Sequence, residues 1–419
     1  MSATIFFIAF PVIGILVTGQ SWRFMVESAI LHAMSDFYFV PLSELKTHKS
    51  EKWRSFPADV LPLPVAEMDF PVAEPIRRTI IEMINKSDLG YLGPIPELGE
   101  AFAEFSTRRN GWTPDPTQVR VAADVGVGIV EVLRVITEPG DKIMINSPVY
   151  PNFWTWSRET KLDYIDIPLT RSESEVNGSH WILDWDGIEK VYKSGLKVHL
   201  ICNPHNPLGR VYTADELNRL VKLAHENGVI IISDEIHSPL TFSEQKFTPI
   251  LSLGDAARAV SITVTSSSKG WNIAGLKCAI IVTQDAALHE RLNAIAPATH
   301  YRASLLGAFA SVAAFREGEP WLDKLMAQLD HNRKLVDQLL KEKMPLAVSH
   351  IPHCSYLSWI DFSAYKLDVE PSVHFLEKAK VAFQPGIRFG EQWAQCLRLN
   401  FATSPEIIEE AITRAAKTL

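Results

Sequence analysis

Cysteine is scarce in this 419-residue chain. Only Cys202, Cys278, Cys354 and Cys396 occur, far apart and without a C-x-x-C pair. That excludes a disulfide framework and predicts four small, buried, apolar side chains in a protein of the reducing cytoplasm. A positive charge balance is also missing: the formal net charge is -8. Such a surface argues against nucleic acid or an anionic membrane as partner. Internal repeats and low-complexity tracts are absent. The body contains no apolar run comparable to the one near the N-terminus, so membrane association of the body is not expected. With 47% hydrophobic and 21% charged residues, the composition is that of a globular protein large enough for two domains.

The N-terminal run, Thr4 to Gly19 (TIFFIAFPVIGILVTG), is shorter than the ~20 residues of a membrane span. No positively charged stretch precedes it and no clean small-residue cleavage site follows. Residues 1–33 are therefore read as an artefactual or unstructured extension, with a weak anchor as the alternative. A translation start at Met34 would explain the extension, since SDFYFVPLSELK follows at once.

From about residue 120 to 285, short β-rich runs alternate with helical stretches, which predicts an α/β domain with a mostly parallel sheet. The expected strands are Lys142–Asn146, Asp163–Ile167, Lys197–Cys202, Val229–Ser233, Ala259–Val264 and Cys278–Val282. Several are near-continuous apolar runs, as strands covered on both faces require. Thr213 and Glu216 have capping-box spacing. Leu217, Leu220, Val221 and Ala224 then follow at helical period, and Gly228 stops the helix. The expected organisation is an arm at 34–79, a large domain at 80–315 and a smaller α+β domain at 316–419. In the last, a helix from Trp321 to Lys341 precedes strands near Tyr356–Ile360 and Leu397–Phe401. The arm carries little secondary-structure signal and is expected to pack with the small domain.

Four local patterns carry chemistry. CNPHNPLGR (Cys202 to Arg210) follows a strand and presents amides in fixed directions. SDEIH (Ser233 to His237) puts an acid at the end of a buried strand, where ligands of open α/β sheets bind. Such an acid needs a cation opposite it. SSSKGWNIAGLK (Ser266 to Lys277) sets a lysine among hydroxyls and glycines, suited to a lowered pKa and an imine, with donors for a phosphate nearby. CLRLNFATS (Cys396 to Ser404) places an arginine between apolar strand positions, where a bidentate carboxylate is its best partner. Each pattern alone has an ordinary structural explanation: a turn, a cap, a solvated loop, an ion pair.

Together, in this order and spacing, the four patterns resemble the fold-type I enzymes that use pyridoxal phosphate, the aspartate-aminotransferase superfamily. The resemblance runs from about Ser35 onward. It implies that Lys269 holds the cofactor as a Schiff base, that Asp234 faces the pyridine nitrogen and that Asn206 reaches the phenolic oxygen. His237 stands where the superfamily often has a tyrosine. Ser266 and Lys277 match phosphate-binding positions, with Ser268 beside them, and Arg398 matches the clamp on the substrate α-carboxylate. No metal enters this chemistry.

LPLPVAEMDF, LGYLGP, SPVYPNFW and the four patterns above further resemble the cystathionine β-lyase-like branch, the bacterial C–S lyases. In that branch Tyr150 would stack on the pyridine ring. Ala66 and Glu67 would meet the substrate, and Tyr91 would reach the substrate and the phosphate of a neighbouring subunit, which implies a homodimer with shared sites. The phosphate turn departs from the branch's pattern: Asp124-Val125-Gly126 stands where a Gly-Val-Val type is usual. An aspartate beside a dianion repels it unless it caps the helix or pairs with a base such as Lys277. The implied reaction is β-elimination of cysteine S-conjugates such as cystathionine. Transamination uses the same residues and is the close alternative, and a regulatory protein on this fold is a more distant one.

Overall fold

A computed structural model describes residues 37–176 and 179–419. The apolar run at Thr4 to Gly19, Met34 and the extension at 1–33 lie outside the described residues.

Seven strands form the main sheet: β1 (Val119–Ala122), β2 (Lys142–Ile145), β3 (Asp163–Asp166), β4 (Val198–Cys202), β5 (Ile230–Asp234), β6 (Ser261–Thr265) and β7 (Ala279–Val282). Their spatial order is β1-β7-β6-β5-β4-β2-β3. β3, β2, β4, β5 and β6 run parallel, and β7 alone lies antiparallel to its neighbours β6 and β1. Every residue of β4, β6 and β7 is buried. Covered on both faces, these strands are the continuous apolar and β-branched runs visible in the sequence. β3 closes one edge, and its Tyr164 is exposed.

One expected strand is displaced. Ala259 and Val260 end a helix, Asp255–Val260, and β6 begins at Ser261. The segment DAARAV is rich in good helix formers, and its Ala257 and Val260 bury as one helical face. The helix after Thr213 forms as the capping pattern predicts, over Ala214–Asn227, and ends on Gly228 at φ +67°.

The second sheet is antiparallel: β8 (Val348–Ser349), β9 (Leu357–Asp361), β10 (Gln384–Pro385) and β11 (Cys396–Asn400), in the order β8-β9-β11-β10. A 25-residue helix, Glu319–Lys343, packs with the C-terminal helix Pro405–Ala416 beside it. Buried Asn332 fastens that long helix by donating to the carbonyls of Phe401 and Thr403, each at 2.8 Å.

Residues 37–79 hold more regular structure than their sequence suggests. Leu61–Pro62 pairs in parallel with Val381–Ala382, and helix Glu74–Asn85 starts with a proline in its first turn. Lys52 and Asp69 form a fully buried ion pair at 2.6 Å, to which Trp53 Nε1 adds a hydrogen bond at 2.9 Å. Helix Glu74–Asn85 packs against helix Leu305–Glu317, so the expected boundaries at 79/80 and 315/316 both fall inside helices. Among the described residues, no helix is long and apolar enough to cross a membrane. All four cysteines are free and buried.

Candidate active site

The carboxyl ends of β4, β5 and β6 open toward β10 and β11 of the second sheet, and a cavity of about 600 Å³ lies between them. Each strand delivers one group to it. β5 ends in Asp234, the loop after β4 carries Asn206, the loop after β6 carries Lys269, and β11 contributes Arg398.

Lys269 Nζ donates to the carbonyl of Ala66 at 2.8 Å, and Tyr356 Oη donates to the same oxygen at 2.9 Å. Loss of water lowers the lysine amine to about 8; Arg398 adds to the effect, while Glu67 and Asp234 oppose it. Asp234 is buried, and among the described residues its carboxyl group accepts one hydrogen bond, from the Ile236 N–H at 3.1 Å. Burial pushes its carboxyl up to about 7, against the pull of that hydrogen bond and of Lys269. His237, with Nδ1 unpartnered among the described residues, is held neutral: burial first, then Lys269 and Arg398, bring it down to about 3.

Arg398 is buried and lies over the Phe389 ring. Nη1 donates to Asn206 Oδ1 at 3.0 Å and Nη2 to the Pro64 carbonyl at 2.8 Å, while Nε has no partner among the described residues. Among the described residues no carboxylate pairs with it, and burial lowers it to about 10. A buried guanidinium with spare donor capacity, facing a cavity, is a receptor for an anion.

Asp124 meets both of the conditions under either of which an aspartate could stand beside a phosphate. Its Oδ1 caps helix Val125–Ile136 by accepting the Val127 N–H at 2.8 Å, and its Oδ2 takes Lys277 Nζ at 3.0 Å. The carboxylate is thus neutralised, and Val125 and Gly126 bring the helix N-terminus to the cavity wall. Tyr150 lines the same wall, edge-on to Trp156, and its hydroxyl accepts from Asn152 Nδ2 at 3.0 Å.

Of the residues singled out in the sequence, Ala66, Glu67, Asp124, Val125, Gly126, Tyr150, Asn206, Asp234, His237, Ser268, Lys269, Lys277 and Arg398 all line this cavity. Two do not. Ser266 is buried behind it, its hydroxyl donating to the Cys278 carbonyl at 2.6 Å and accepting the Ser268 N–H at 3.0 Å. Tyr91 is 89% exposed on the outer surface. Other residues, given no role in the sequence analysis, hold the site together. Asn400 Nδ2 donates to the carbonyls of Val65 and Glu67 at 2.6 Å, and Asn272 brackets Met68 through both its amide atoms at 2.9 Å. With Arg398 and Lys269, they lace the 64–68 segment over the site. Asn400 could have been found, because strand alternation puts it on the same face as Arg398. Tyr356, Asn152 and Arg388 left no such trace.

The model of the family described as "Aminotransferase class I and II" matches residues 58–414. The chain belongs to this family. Among its class I and II aminotransferase relatives, the cystathionine beta-lyase of Corynebacterium glutamicum is 34% identical, over 91% of this chain and 100% of that protein. The cystathionine beta-lyase PatB of Bacillus subtilis is 32% identical, over 86% and 93%. A solved C-S lyase from Staphylococcus hominis, described as PLP-bound, superposes with a TM-score of 0.82 at 28% identity, covering 91% of this chain and 98% of that one. The architecture described above is therefore the fold-type I fold of the class I and II aminotransferases, an α/β fold with a mostly parallel main sheet.

Proposed function

We propose that this chain is a pyridoxal-phosphate-dependent carbon–sulfur β-lyase that cleaves cystathionine or related cysteine S-conjugates to pyruvate, ammonia and a thiol. One observation carries the reading: a single cavity unites a desolvated amine with a buried acid and a buried guanidinium that, among the described residues, have no cationic hydrogen-bond partner and no carboxylate, respectively. The lyase names of the relatives decide for elimination over transamination, since the same residues serve both.

The donor set fits the cofactor. Lys269 is the amine for its aldehyde, Asp234 the anion for its ring nitrogen, and Tyr150 the aromatic face for its ring. Asn206 and His237 would flank the phenolic oxygen. The N-terminus of helix Val125–Ile136 would take the phosphate, with Ser268 and the neutralised Asp124–Lys277 pair beside it. When bound, the cofactor supplies an electron sink for the pair left on the substrate α-carbon. Arg398 grips the α-carboxylate and so fixes which bond at the α-carbon faces Lys269. With its affinity for a proton lowered to about 8, Lys269 Nζ removes the α-proton near neutral pH and is not locked in its charged form. The C–S bond then breaks with its electron pair on sulfur, the thiolate takes a proton, and water converts the three-carbon fragment to pyruvate and ammonia.

The test uses L-cystathionine without any keto acid. Stoichiometric pyruvate, ammonia and free thiol are expected; turnover only after an acceptor is added would overturn the reading.

The working form in this proposal is a cytoplasmic homodimer. Four free, buried thiols support the compartment. Tyr91 supports the dimer, because it is exposed beside exposed Leu89 and does not line this chain's own cavity. Mixing inactive Tyr91→Ala and Lys269→Ala chains and refolding them together is expected to restore up to about a quarter of wild-type activity, from hybrid dimers with one intact site. No recovery, with both parents folded, would rule out the shared site.

A further inference from the structure

The reading above leaves one cation unused. Arg388 lies on the turn Gly386–Phe389, directly after β10, and is exposed. Among the described residues it has no hydrogen bond and no ion pair, although the molecule is rich in paired arginines. The turn itself is fixed. A Cβ on Gly386 would meet the carbonyl oxygens of Trp393 and Cys396 at 2.2 Å, and Phe389 is fully buried beneath Arg398. Gln384 of β10 pairs with Arg398 of β11. The strand register therefore ties the position of the exposed arginine to that of the buried one, with both side chains on the wall of the same cavity.

Arg388 also lines a second cavity, of about 570 Å³, immediately outside the first. The two share Pro151, Asn152 and Arg388 as a common wall. The outer cavity lies where the two sheets' loops meet, held together there by Gln392 Nε2 donating to Ser147 Oγ at 2.9 Å. Its lining carries both signs of charge, Asp166 and Glu391 as well as Arg388 and Arg158, together with Trp154 and Tyr164. A purely apolar thiol leaving group has no use for a free guanidinium at this junction. A leaving group that is itself an amino acid has one, since its carboxylate needs a cation and its ammonium an acid.

We propose that Arg388 is a specificity-determining residue that binds the distal carboxylate of the departing thiol, so that the outer cavity selects thioethers whose leaving half is an amino acid. The inference rests on the lyase reading for its chemistry and names the substrate class of that same site. Arg398 holds one end of the substrate and Arg388 the other, with the scissile C–S bond between them.

The test compares two thioethers cleaved at the same bond, L-cystathionine and S-ethyl-L-cysteine, in the wild-type holoenzyme and in Arg388→Gln and Arg388→Lys. For cystathionine, Arg388→Gln is expected to lower kcat/KM about tenfold, mainly through KM, because a charged hydrogen-bond pair at a partly exposed site is lost. Lysine should recover part of this. S-ethyl-L-cysteine, which has no distal carboxylate, should change less than about twofold. Equal losses on both substrates, or no loss on either, would overturn the proposal. A binding measurement separates it from the lyase reading. Suberate has as many chain atoms between its carboxylates as cystathionine, and octanoate lacks the second carboxylate. The wild-type holoenzyme should bind suberate more tightly than octanoate, and Arg388→Gln should remove that preference. If cystathionine gives no pyruvate while the suberate preference still depends on Arg388, the lyase reading falls and the distal site stands. A preference untouched by Arg388→Gln would sink the distal site alone.

Discussion

Replacing Lys269 by alanine is expected to lower β-elimination at least about 10³-fold, to the edge of detection. The size follows from two tasks that fall on one atom: Nζ anchors the cofactor's aldehyde and then moves the α-proton. The substitution should leave the fold intact. The Ala66 carbonyl loses the 2.8 Å bond from Lys269 but keeps the one from Tyr356 Oη at 2.9 Å. Its neighbours from Pro64 to Met68 remain held by Arg398, Asn400 and Asn272. The amine is itself desolvated, so its removal relieves a cost as well as losing a contact. Steady-state pyruvate release measures the first effect. Borohydride reduction followed by peptide mapping measures the anchor, with a pyridoxyl adduct in the SSSKGW peptide of the wild type and none in the variant. Wild-type turnover in Lys269→Ala, or an adduct on another lysine of the wild type, would remove the basis for every role assigned above.

What the sequence disclosed follows from how far each feature depends on its neighbours in the chain. β4 and β5 were readable because a strand covered on both faces must be apolar throughout, and helix Ala214–Asn227 because its cap, period and stop are all local. The hairpin Thr170–Val176 with Ser179–Ile182 was not, since the first of these strands is almost wholly exposed and polar. β6 was misplaced by two residues because a buried helix end and a buried strand start form one apolar run. The site divides in the same way. Asp234, Asn206 and Lys269 stand at strand ends, where chain order announces them, and Asp124 and Lys277 needed only the N-cap to reconcile their charges. Ser266 and Ser268 stand two residues apart in the loop after β6, and only the structure decides which faces the cavity. Tyr356 and Arg388 come from the second sheet and its turn, and nothing near them in the chain refers to the Ala66 carbonyl that the first holds or the cavity that the second lines.

Asp234→Asn is expected to reduce turnover by about 10²–10³-fold, as loss of a charge fixed opposite a developing charge does. Its more telling effect is on stability, where the sign should depend on the cofactor. An aspartate in the unfolded chain titrates near 4, and in the cofactor-free fold burial pushes Asp234 up to about 7. The folded state therefore resists ionisation. Its cost is absent below about pH 4, grows as pH rises through the window from about 4 to about 7, and is constant above, reaching at most about 4 kcal/mol. Glu235, also buried and raised to about 8, titrates in both proteins; the Asp234 charge adds to its shift, so losing that charge in the variant favours the variant in the same direction. Cofactor-free Asp234→Asn should thus melt higher than cofactor-free wild type at pH 8, and the gap should close on acidification to pH 4. In the proposed holoenzyme a protonated ring nitrogen would face the carboxylate, and the ionised form would become the favoured one. Pairing would pull the aspartate's pKa down from its cofactor-free value, and the asparagine variant should melt lower than wild type at pH 8. Thermal melts of both proteins, with and without cofactor, at pH 5 and pH 8 read this inversion directly. Wild type and variant keeping the same order in both states would mean that Asp234 does not face a cation on the cofactor, since no purely structural role for a buried carboxylate reverses sign when a ligand fills the cavity beside it.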